Sequence, residues 1–258
     1  MKNLIPLITI LLISCGNPPT KMVETNASGV VIRELNWKSI SNSANFKGSI
    51  RDNAKAVGDM MIPAVSSRCT GFLISNDILM TNHHCVSSDK EAQNIVVDFA
   101  HEMNIPKTDK LSFHCDEFIG SNKELDYALI RCRNHPGKMV GHLKLKVDDE
   151  PLMEDDLIYL IHHNCDYRQD PRCDWTKKIS PGKIQNFDFD TIRHSADSLR
   201  GSSGAPLISL KDGLVIGLHH AGKLTDRRAQ AGIYNEAISS ARIVEDIRIN
   251  FPEVFSQI

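Results

Sequence analysis

From about residue 46 onward, the chain alternates short apolar runs with clusters of turn-forming residues. Residues 71–74 and 78–80 flank a Ser-Asn-Asp turn, and residues 207–210 and 214–217 flank a Lys-Asp-Gly turn. Each arrangement predicts a β-hairpin, the second with Asp-Gly at its turn. Further strands are predicted at 95–97, 127–130 and 157–161. Many short strands indicate an all-β barrel or sandwich protein.

The C-terminal segment carries the one long helical pattern. Its apolar residues recur at helical spacing, with charged residues between them: Ile243, Val244, Ile247 and Phe251. Ser239 or Ser240 is expected to cap the start of this helix, and Pro252 to end it. The predicted architecture is a strand-rich body followed by one helix.

The N-terminus has the pattern of an export signal. Lys2 precedes an apolar run at 4–13, which is too short to cross a bilayer as a helix and fits a signal peptide. The run ends in Leu-Ile-Ser before Cys15, which is similar to the lipobox of bacterial lipoproteins. Residues 1–14 are therefore expected to be a signal peptide and Cys15 to be lipidated. An ordinary cleaved signal and an uncleaved anchor are the alternatives.

The segment at 15–45 is rich in Asn, Ser, Thr and Pro, and it predicts a polar tether between the anchor and the folded part. The expected location is extracytoplasmic and lipid-anchored, with release from the membrane as an alternative. Gly16 after Cys15 favours the outer membrane if the cell has one.

The cysteine count agrees with export. Of seven cysteines, six lie beyond the lipobox, and an even set in an exported chain predicts three disulfides. Reduced, buried thiols would require a cytoplasmic location. The six residues are Cys69, Cys85, Cys115, Cys132, Cys165 and Cys173.

Composition narrows the class of protein. The 258 residues are 41% hydrophobic and 24% charged, which is ordinary for a globular chain with room for one large or two modest domains. A formal net charge of -2 argues against a nucleic-acid binder. Nucleic acid is therefore not an expected partner, whereas a membrane is expected as a partner through Cys15.

Three segments carry candidate chemistry. Ser203 lies between glycines, and such a turn can expose a hydroxyl and direct the amides of Gly201 and Ser203 at an oxyanion. His84 directly follows a predicted strand, where an imidazole can act as a general base. Asp126 opens an apolar strand, and orienting a histidine would satisfy its carboxylate.

The order of these residues, and the boxes around them, resemble the chymotrypsin-like serine proteases. Residues 81–85, Thr-Asn-His-His-Cys, match the family's Thr-Ala-Ala-His-Cys, which selects His84 rather than His83. Residues 126–129 match Asp-Ile-Ala-Leu, and residues 201–206 match Gly-Asp-Ser-Gly-Gly-Pro. The resemblance covers about residues 55–250.

The resemblance implies two six-stranded antiparallel barrels and a C-terminal helix, with the active site between the barrels. The first would span 46–150 and the second 151–258. It implies a serine endopeptidase in which Ser203 is the nucleophile, His84 the base and Asp126 its orienting acid, with Gly201 and Ser203 as the oxyanion hole and no cofactor.

The resemblance also implies a disulfide between Cys69 and Cys85. For the other cysteines, Cys115 and Cys132 flank two predicted strands, and Cys165 and Cys173 are close enough to close a small loop. We expect these two further pairs.

Two departures place the chain near bacterial branches, notably the glutamyl endopeptidases. Ser202 stands where trypsin-like zymogens need an Asp to pair with a new N-terminal amine, and Leu199 replaces a disulfide cysteine. Activation by that insertion is therefore not expected, and the loop around Ser203 must be held otherwise. Residues 215–222 also resemble the glutamyl endopeptidases.

The sequence does not decide which substrate side chain precedes the cleaved bond, and two choices remain. Asp197, with Ser198, matches the trypsin carboxylate that binds Lys or Arg. His219 matches the histidine with which glutamyl endopeptidases bind a carboxylate, with Ser198 as a second donor. The full charge of Asp197 favours Lys or Arg slightly.

Three other functions are alternatives to a serine endopeptidase. Adjacent histidines near cysteines suggest zinc, but neighbours in a strand point to opposite faces, and we predict no metal. A pseudoprotease acting as an extracytoplasmic binding protein is the alternative function. A chaperone-protease would need a peptide-binding domain after the barrels. The protein is expected to be monomeric.

Overall fold

The computed structural model describes residues 25–27, 30–32, 36–40, 48–106, 111–147, 151–165, 174–226 and 231–258. The predicted signal peptide, Cys15, most of the tether and Cys173 lie outside these residues. Within them, no helix is both long and apolar enough to cross a membrane.

The first half of the chain forms a closed antiparallel barrel. Its strands are β3 Val57–Ile62, β4 Ser67–Leu73, β5 Ile78–Thr81, β6 Val96–Asp98, β7 Ser112–Asn122 and β8 Tyr127–Cys132. Around the barrel they follow in the order β3-β4-β5-β8-β7-β6, and β6 pairs with β3 to close it. The predicted hairpin at 71–80 is the β4–β5 pair.

The second half forms another closed barrel, in which β13 pairs both with β12 and with β14. Its strands are β9 Leu157–His163, β10 Lys177–Phe187, β11 Thr191–His194, β12 Pro206–Ser209, β13 Val215–Asp226 and β14 Ala231–Ser239. Two N-terminal strands are added to it: β1 (Thr25–Ala27) pairs with β13, and β2 (Lys38–Ser39) pairs with β10. The expected fold of two six-stranded antiparallel barrels is confirmed.

Helices are few and peripheral, as the sequence pattern indicates. The expected C-terminal helix is α4, Ser240–Asn250, and it buries Ile243, Val244 and Ile247. Ser239 is the residue before its first turn but makes no side-chain cap, and Ser240 Oγ instead donates to Lys146 O at 2.8 Å. Pro252 begins a further short helix, α5 (Pro252–Phe255).

Three other short helices were not predicted, because each is too short to show a helical period. They are α1 Ser49–Lys55, α2 Asp89–Ala92 and α3 Gly137–Val140, and a 3-10 turn covers Pro63–Val65.

The seam between the barrels combines an apolar core with one buried cation. Phe72 and Tyr127 of the first barrel share a core cluster with Ile161 and Leu218 of the second. Lys177, on β10, is fully buried, and its ammonium donates to Ala54 O at 2.6 Å and Phe99 O at 2.7 Å. Because these acceptors belong to the first half of the chain, Lys177 fixes how the barrels dock.

The disulfides described by the structure lie in the first barrel. Cys69 is joined to Cys85 and Cys115 to Cys132, as expected. Cys165 is also disulfide-bonded. Its expected partner, Cys173, lies outside the described residues, so that pairing stays a prediction.

Candidate active site

His84 and Asp126 meet at the edge of the first barrel. His84 Nδ1 lies 2.7 Å from Asp126 Oδ2, and the backbone N–H of His84 donates to Oδ1 at 3.0 Å. Asn82 Nδ2 donates to the carbonyl of Asp126 at 2.8 Å. Asp126 has a φ of 43°, a left-handed conformation that an aspartate tolerates when its surroundings hold it.

The carboxylate of Asp126 is held ionised by its neighbours. Burial raises its pKa, but the hydrogen bonds and charges of His220 and His84 outweigh burial and hold the pKa well below its usual range. The ionised carboxylate can only accept hydrogen bonds, so the Nδ1 of His84 carries the proton and donates it. That leaves Nε2 of a neutral His84 as a proton acceptor.

Ser203 lies on a tight turn that docks on the first barrel. Thr70 N donates to Ser203 O at 2.9 Å, and Thr70 Oγ1 donates to Gly201 O at 2.9 Å. Gly201 and Gly204 have φ values of 100° and 84°, which a side chain would strain. The glycines that flank Ser203 in the sequence are therefore required by the backbone of this turn.

The amides of Gly201 and Ser203 point away from the carbonyls that precede them. Arg200 O accepts from Cys165 N at 3.3 Å, and Ser202 O accepts from Ala205 N at 3.0 Å. In a trans peptide the N–H points opposite to the C=O. The N–H of Gly201 is therefore directed away from Cys165, and the N–H of Ser203 away from Ala205 N. Neither amide donates to another group of the described residues.

A buried, uncharged network holds the turn where trypsin-like proteases use an Asp and a disulfide. Ser202 Oγ lies 2.7 Å from His162 Nδ1 and accepts from Leu199 N at 3.1 Å. His162 Nε2 lies 2.9 Å from Ser180 Oγ. Burial lowers the pKa of His162 well below its usual value, so the ring is neutral. Sequence reasoning noted that this turn needed another support but did not identify His162.

A second histidine reaches Asp126. His220 Nδ1 lies 3.3 Å from Asp126 Oδ2, and His220 Nε2 lies 3.4 Å from Glu236 Oε1. Neither His220 nor Glu236 has a role among the sequence-based predictions. The available signal was the adjacent His-His pair at 219–220, of which only His219 was assigned a role, in the substrate pocket.

Two of the three residues expected to line the substrate pocket are hydrogen-bonded to the N-terminal segment. Asp197 Oδ1 accepts from Ile32 N at 2.6 Å and Oδ2 from Asn36 N at 2.7 Å. Ser198 Oγ accepts from Val30 N at 3.2 Å. Burial raises the pKa of Asp197, opposed by these backbone amides. Both carboxylate oxygens are therefore already hydrogen-bonded within the chain.

His219, the other expected pocket residue, is fully buried on β13. Its ring packs edge-on against that of His194, with centroids 5.5 Å apart. Burial lowers the pKa of His194 to about 3, so His194 is neutral.

One group of described residues has the composition of a metal site. Ligand atoms of Asp59, His101 and His163 lie within 4.8 Å of one another. Arg68 forms an ion pair with the Asp59 carboxylate through two nitrogens, and His101 Nδ1 lies 2.7 Å from the same group. Since the Arg68 guanidinium already neutralises the Asp59 carboxylate, these residues are better described as an ion-pair network than as a metal site.

Two closed barrels, with a His–Asp pair on one and a glycine-flanked serine on the other, define a serine hydrolase of the two-barrel class. Residues 69–218 match the model of the trypsin-like peptidase domain. The chain belongs to the trypsin-like peptidase family.

The chain is also similar to several known proteins. The chain is 26% identical over 206 residues to the secreted RxLR effector protein 73 of Plasmopara viticola, and the match covers 70% of this chain and 45% of that protein. The chain thus spans less than half the length of this relative. A solved Glu endopeptidase in complex with MPD has a TM-score of 0.64 at 20% identity, covering 85% of this chain and 98% of its own.

A crystal structure of Deg5 is more distant, with a TM-score of 0.56 at 15% identity. It covers 79% of this chain and 93% of its own. At these identities both solved structures support the fold alone.

Proposed function

We propose that the protein is a serine endopeptidase that cleaves peptide bonds through an acyl-enzyme on Ser203. The observation that carries the proposal is the 2.7 Å contact between His84 Nδ1 and Asp126 Oδ2, because it leaves His84 Nε2 free to accept a proton. Family membership supplies the class of reaction. The substrates are proteins or peptides.

In the proposed reaction, Ser203 Oγ attacks the carbonyl carbon while His84 takes the hydroxyl proton. Asp126 stabilises the imidazolium that forms, and the amides of Gly201 and Ser203 bind the oxyanion. His84 then gives the proton to the leaving amine, and a water molecule releases the acyl group by the same route. Both amides are available for this role, because neither donates to another group of the described residues.

A fluorophosphonate probe tests the nucleophile. The wild type should label at one serine, Ser203→Ala should not label, and Ser202→Ala should label to the same endpoint at a lower rate. The Ser202 variant is the matched control, because it removes the neighbouring hydroxyl, with its contacts to His162 and Leu199, and leaves the Ser203 hydroxyl in place. Full labelling of Ser203→Ala would overturn the assignment, and an unlabelled, folded wild type would favour a binding protein.

For specificity, we infer a preference for Glu before the cleaved bond, rather than for Lys or Arg. Two backbone amides already occupy the carboxylate of Asp197, which disfavours its use as a cation receptor. The resemblance to glutamyl endopeptidases assigns carboxylate binding to His219.

Matched peptides that differ only in Glu, Arg or Leu before a reporter group test the preference. The Glu peptide should have the highest kcat/KM, and the advantage should disappear in His219→Ala and survive in Asp197→Asn. A preference for Arg that is lost in Asp197→Asn would restore the trypsin-like choice.

We also propose that a lipid on Cys15 holds the enzyme on the extracytoplasmic side of a membrane. The lipobox-like sequence before Cys15 and the polar tether support this. In detergent partitioning, the wild type should enter the detergent phase and Cys15→Ser should leave it. A soluble wild type that begins at another residue would overturn the proposal.

A further inference from the structure

A bulge in the second barrel turns His220 toward the proposed catalytic centre. Along the β13–β14 pair, His219 lies opposite Ala237 and Ala221 lies opposite Glu236, so His220 is the extra residue between them. Such a bulge re-aims a side chain relative to strict strand alternation. At this bulge, His219 lies in the core and His220 reaches Asp126.

His220 and His84 share one carboxylate oxygen. Asp126 Oδ2 lies 2.7 Å from Nδ1 of His84 and 3.3 Å from Nδ1 of His220. The two ring nitrogens are therefore within about 6 Å of each other, a range at which charges inside a protein interact strongly. The His220 side chain is 18% exposed, so water screens it only in part.

The charges around His220 favour its protonated form. Burial lowers its pKa, but Asp126 and Glu236 outweigh burial and raise the pKa to about 9. His220 lowers the pKa of Glu236, and Arg193, whose Nε lies 3.3 Å from the second oxygen of that carboxylate, lowers it further. His194, on the adjacent strand β11, is neutral and adds no competing charge.

We propose that His220 is a positioning residue for the triad: it lies beside Glu236, shares the Asp126 carboxylate with His84 and makes His84 harder to protonate in acid. This inference rests on the proposed function, because it assigns His220 a role at that same site. The resemblance assigns roles to His84 and His219 but none to His220.

The physical reason is the competition for one carboxylate. Asp126 favours the imidazolium form of His84, whereas the positive charge of His220 offsets that carboxylate and repels a second cation beside it. A neutral side chain at position 220 removes the repulsion. His84 would then take up a proton at a higher pH and lose its function as a base earlier on acidification.

The kinetic test measures kcat/KM against pH for the wild type, His220→Gln and His142→Gln. His142 is exposed, so its variant controls for the loss of an imidazole elsewhere. The acid limb of His220→Gln should lie about one pH unit above that of the wild type. The plateau should fall by less than about tenfold, and His142→Gln should match the wild type.

A second measurement needs no activity. In a Ser203→Ala background, imidazole nitrogen NMR should show His220 losing its proton only near pH 9, with the titration midpoint of His84 rising by about one unit when His220→Gln is added. An unchanged acid limb together with an unchanged His84 midpoint would overturn the proposal. So would a His220 that titrates below neutrality in the parent protein, even if the Gln variant does not fold.

These results separate the inference from the proposed function. If the folded wild type neither hydrolyses peptides nor labels with the fluorophosphonate, the proposed function fails. The NMR coupling between His84 and His220 still decides the electrostatic part of the inference in that case.

Discussion

Replacing Gly204 with alanine should damage the docking of the two barrels. Gly204 follows Ser203 and has a φ of 84°. A Cβ at this position would overlap Thr70 O and Thr81 Oγ1, and would lie 3.2 Å from Thr81 Cα. These atoms belong to β4 and β5 of the first barrel, so the added methyl group pushes the nucleophile's turn away from the histidine's barrel.

Two terms set the expected loss of stability. A left-handed conformation costs a non-glycine residue about 1–2 kcal/mol. Forcing a methyl group against packed backbone costs a further 1–3 kcal/mol, roughly. The neighbours cannot relax easily, because Thr81 Oγ1 donates to Thr70 O at 2.9 Å and Thr70 N donates to Ser203 O at 2.9 Å. We expect Gly204→Ala to lose roughly 2–5 kcal/mol of unfolding free energy.

The chain offers a matched control for the conformational term. Gly213 has a φ of 76°, and a Cβ there would meet nothing closer than 3.6 Å. Gly213→Ala should therefore lose only about 1–2 kcal/mol in guanidinium denaturation and keep its activity. Gly204→Ala should lose more, and its kcat/KM should fall as well. If the two variants are equally stable and equally active, the described contact between the barrels at Gly204 is not present.

Three further outcomes follow from named contacts. Replacing Cys69 and Cys85 together by alanine should lower the unfolding free energy by about 3 kcal/mol, since their loop closes 16 positions, and an unchanged denaturation midpoint would contradict this. Asp126→Asn should reduce kcat/KM by on the order of 10⁴ with the fold intact by circular dichroism, and a loss below about tenfold would argue against Asp126 as the orienting acid. Burial raises the pKa of Asp59, but His101, His163 and Arg68 together lower it to about 2, from 3.8. The stabilisation by Asp59 is thus present above the pKa of the unfolded state and is lost as pH falls toward 2. In denaturant titrations, the difference in unfolding free energy between wild type and Asp59→Asn should shrink by about 2 kcal/mol between pH 5 and 2. A constant difference would refute this.

Local patterns predicted the fold well, because they depend on neighbours in the chain. The two hairpins are visible as apolar runs around short turns, and the helix α4 as apolar positions at helical spacing. The boxes around His84 and Asp126 predicted that these two side chains meet, since a shared fold places the same boxes together. The His84–Asp126 contact spans 42 positions and could not be read from the local pattern alone.

The remaining site features depend on contacts that no local pattern reports. The bond between Ser202 and His162 joins residues 40 positions apart on different strands of a closed barrel. The partners of Asp197 lie 165 and 161 positions away, in a segment read from composition only as a tether. A charged residue predicted to face substrate thus accepts hydrogen bonds from backbone amides, a contact that its position in the sequence does not reveal.

The site separates the groups that hold the nucleophile from the groups that tune the base. His162 holds the turn through Ser202 and is neutral, because burial keeps its pKa far below the working range. Acidification therefore leaves that support unchanged. His84 instead shares Asp126 with His220, so both neighbours set the charge beside the base. The nucleophile's turn should therefore keep its shape in mild acid, and any activity lost there should return fully on neutralisation.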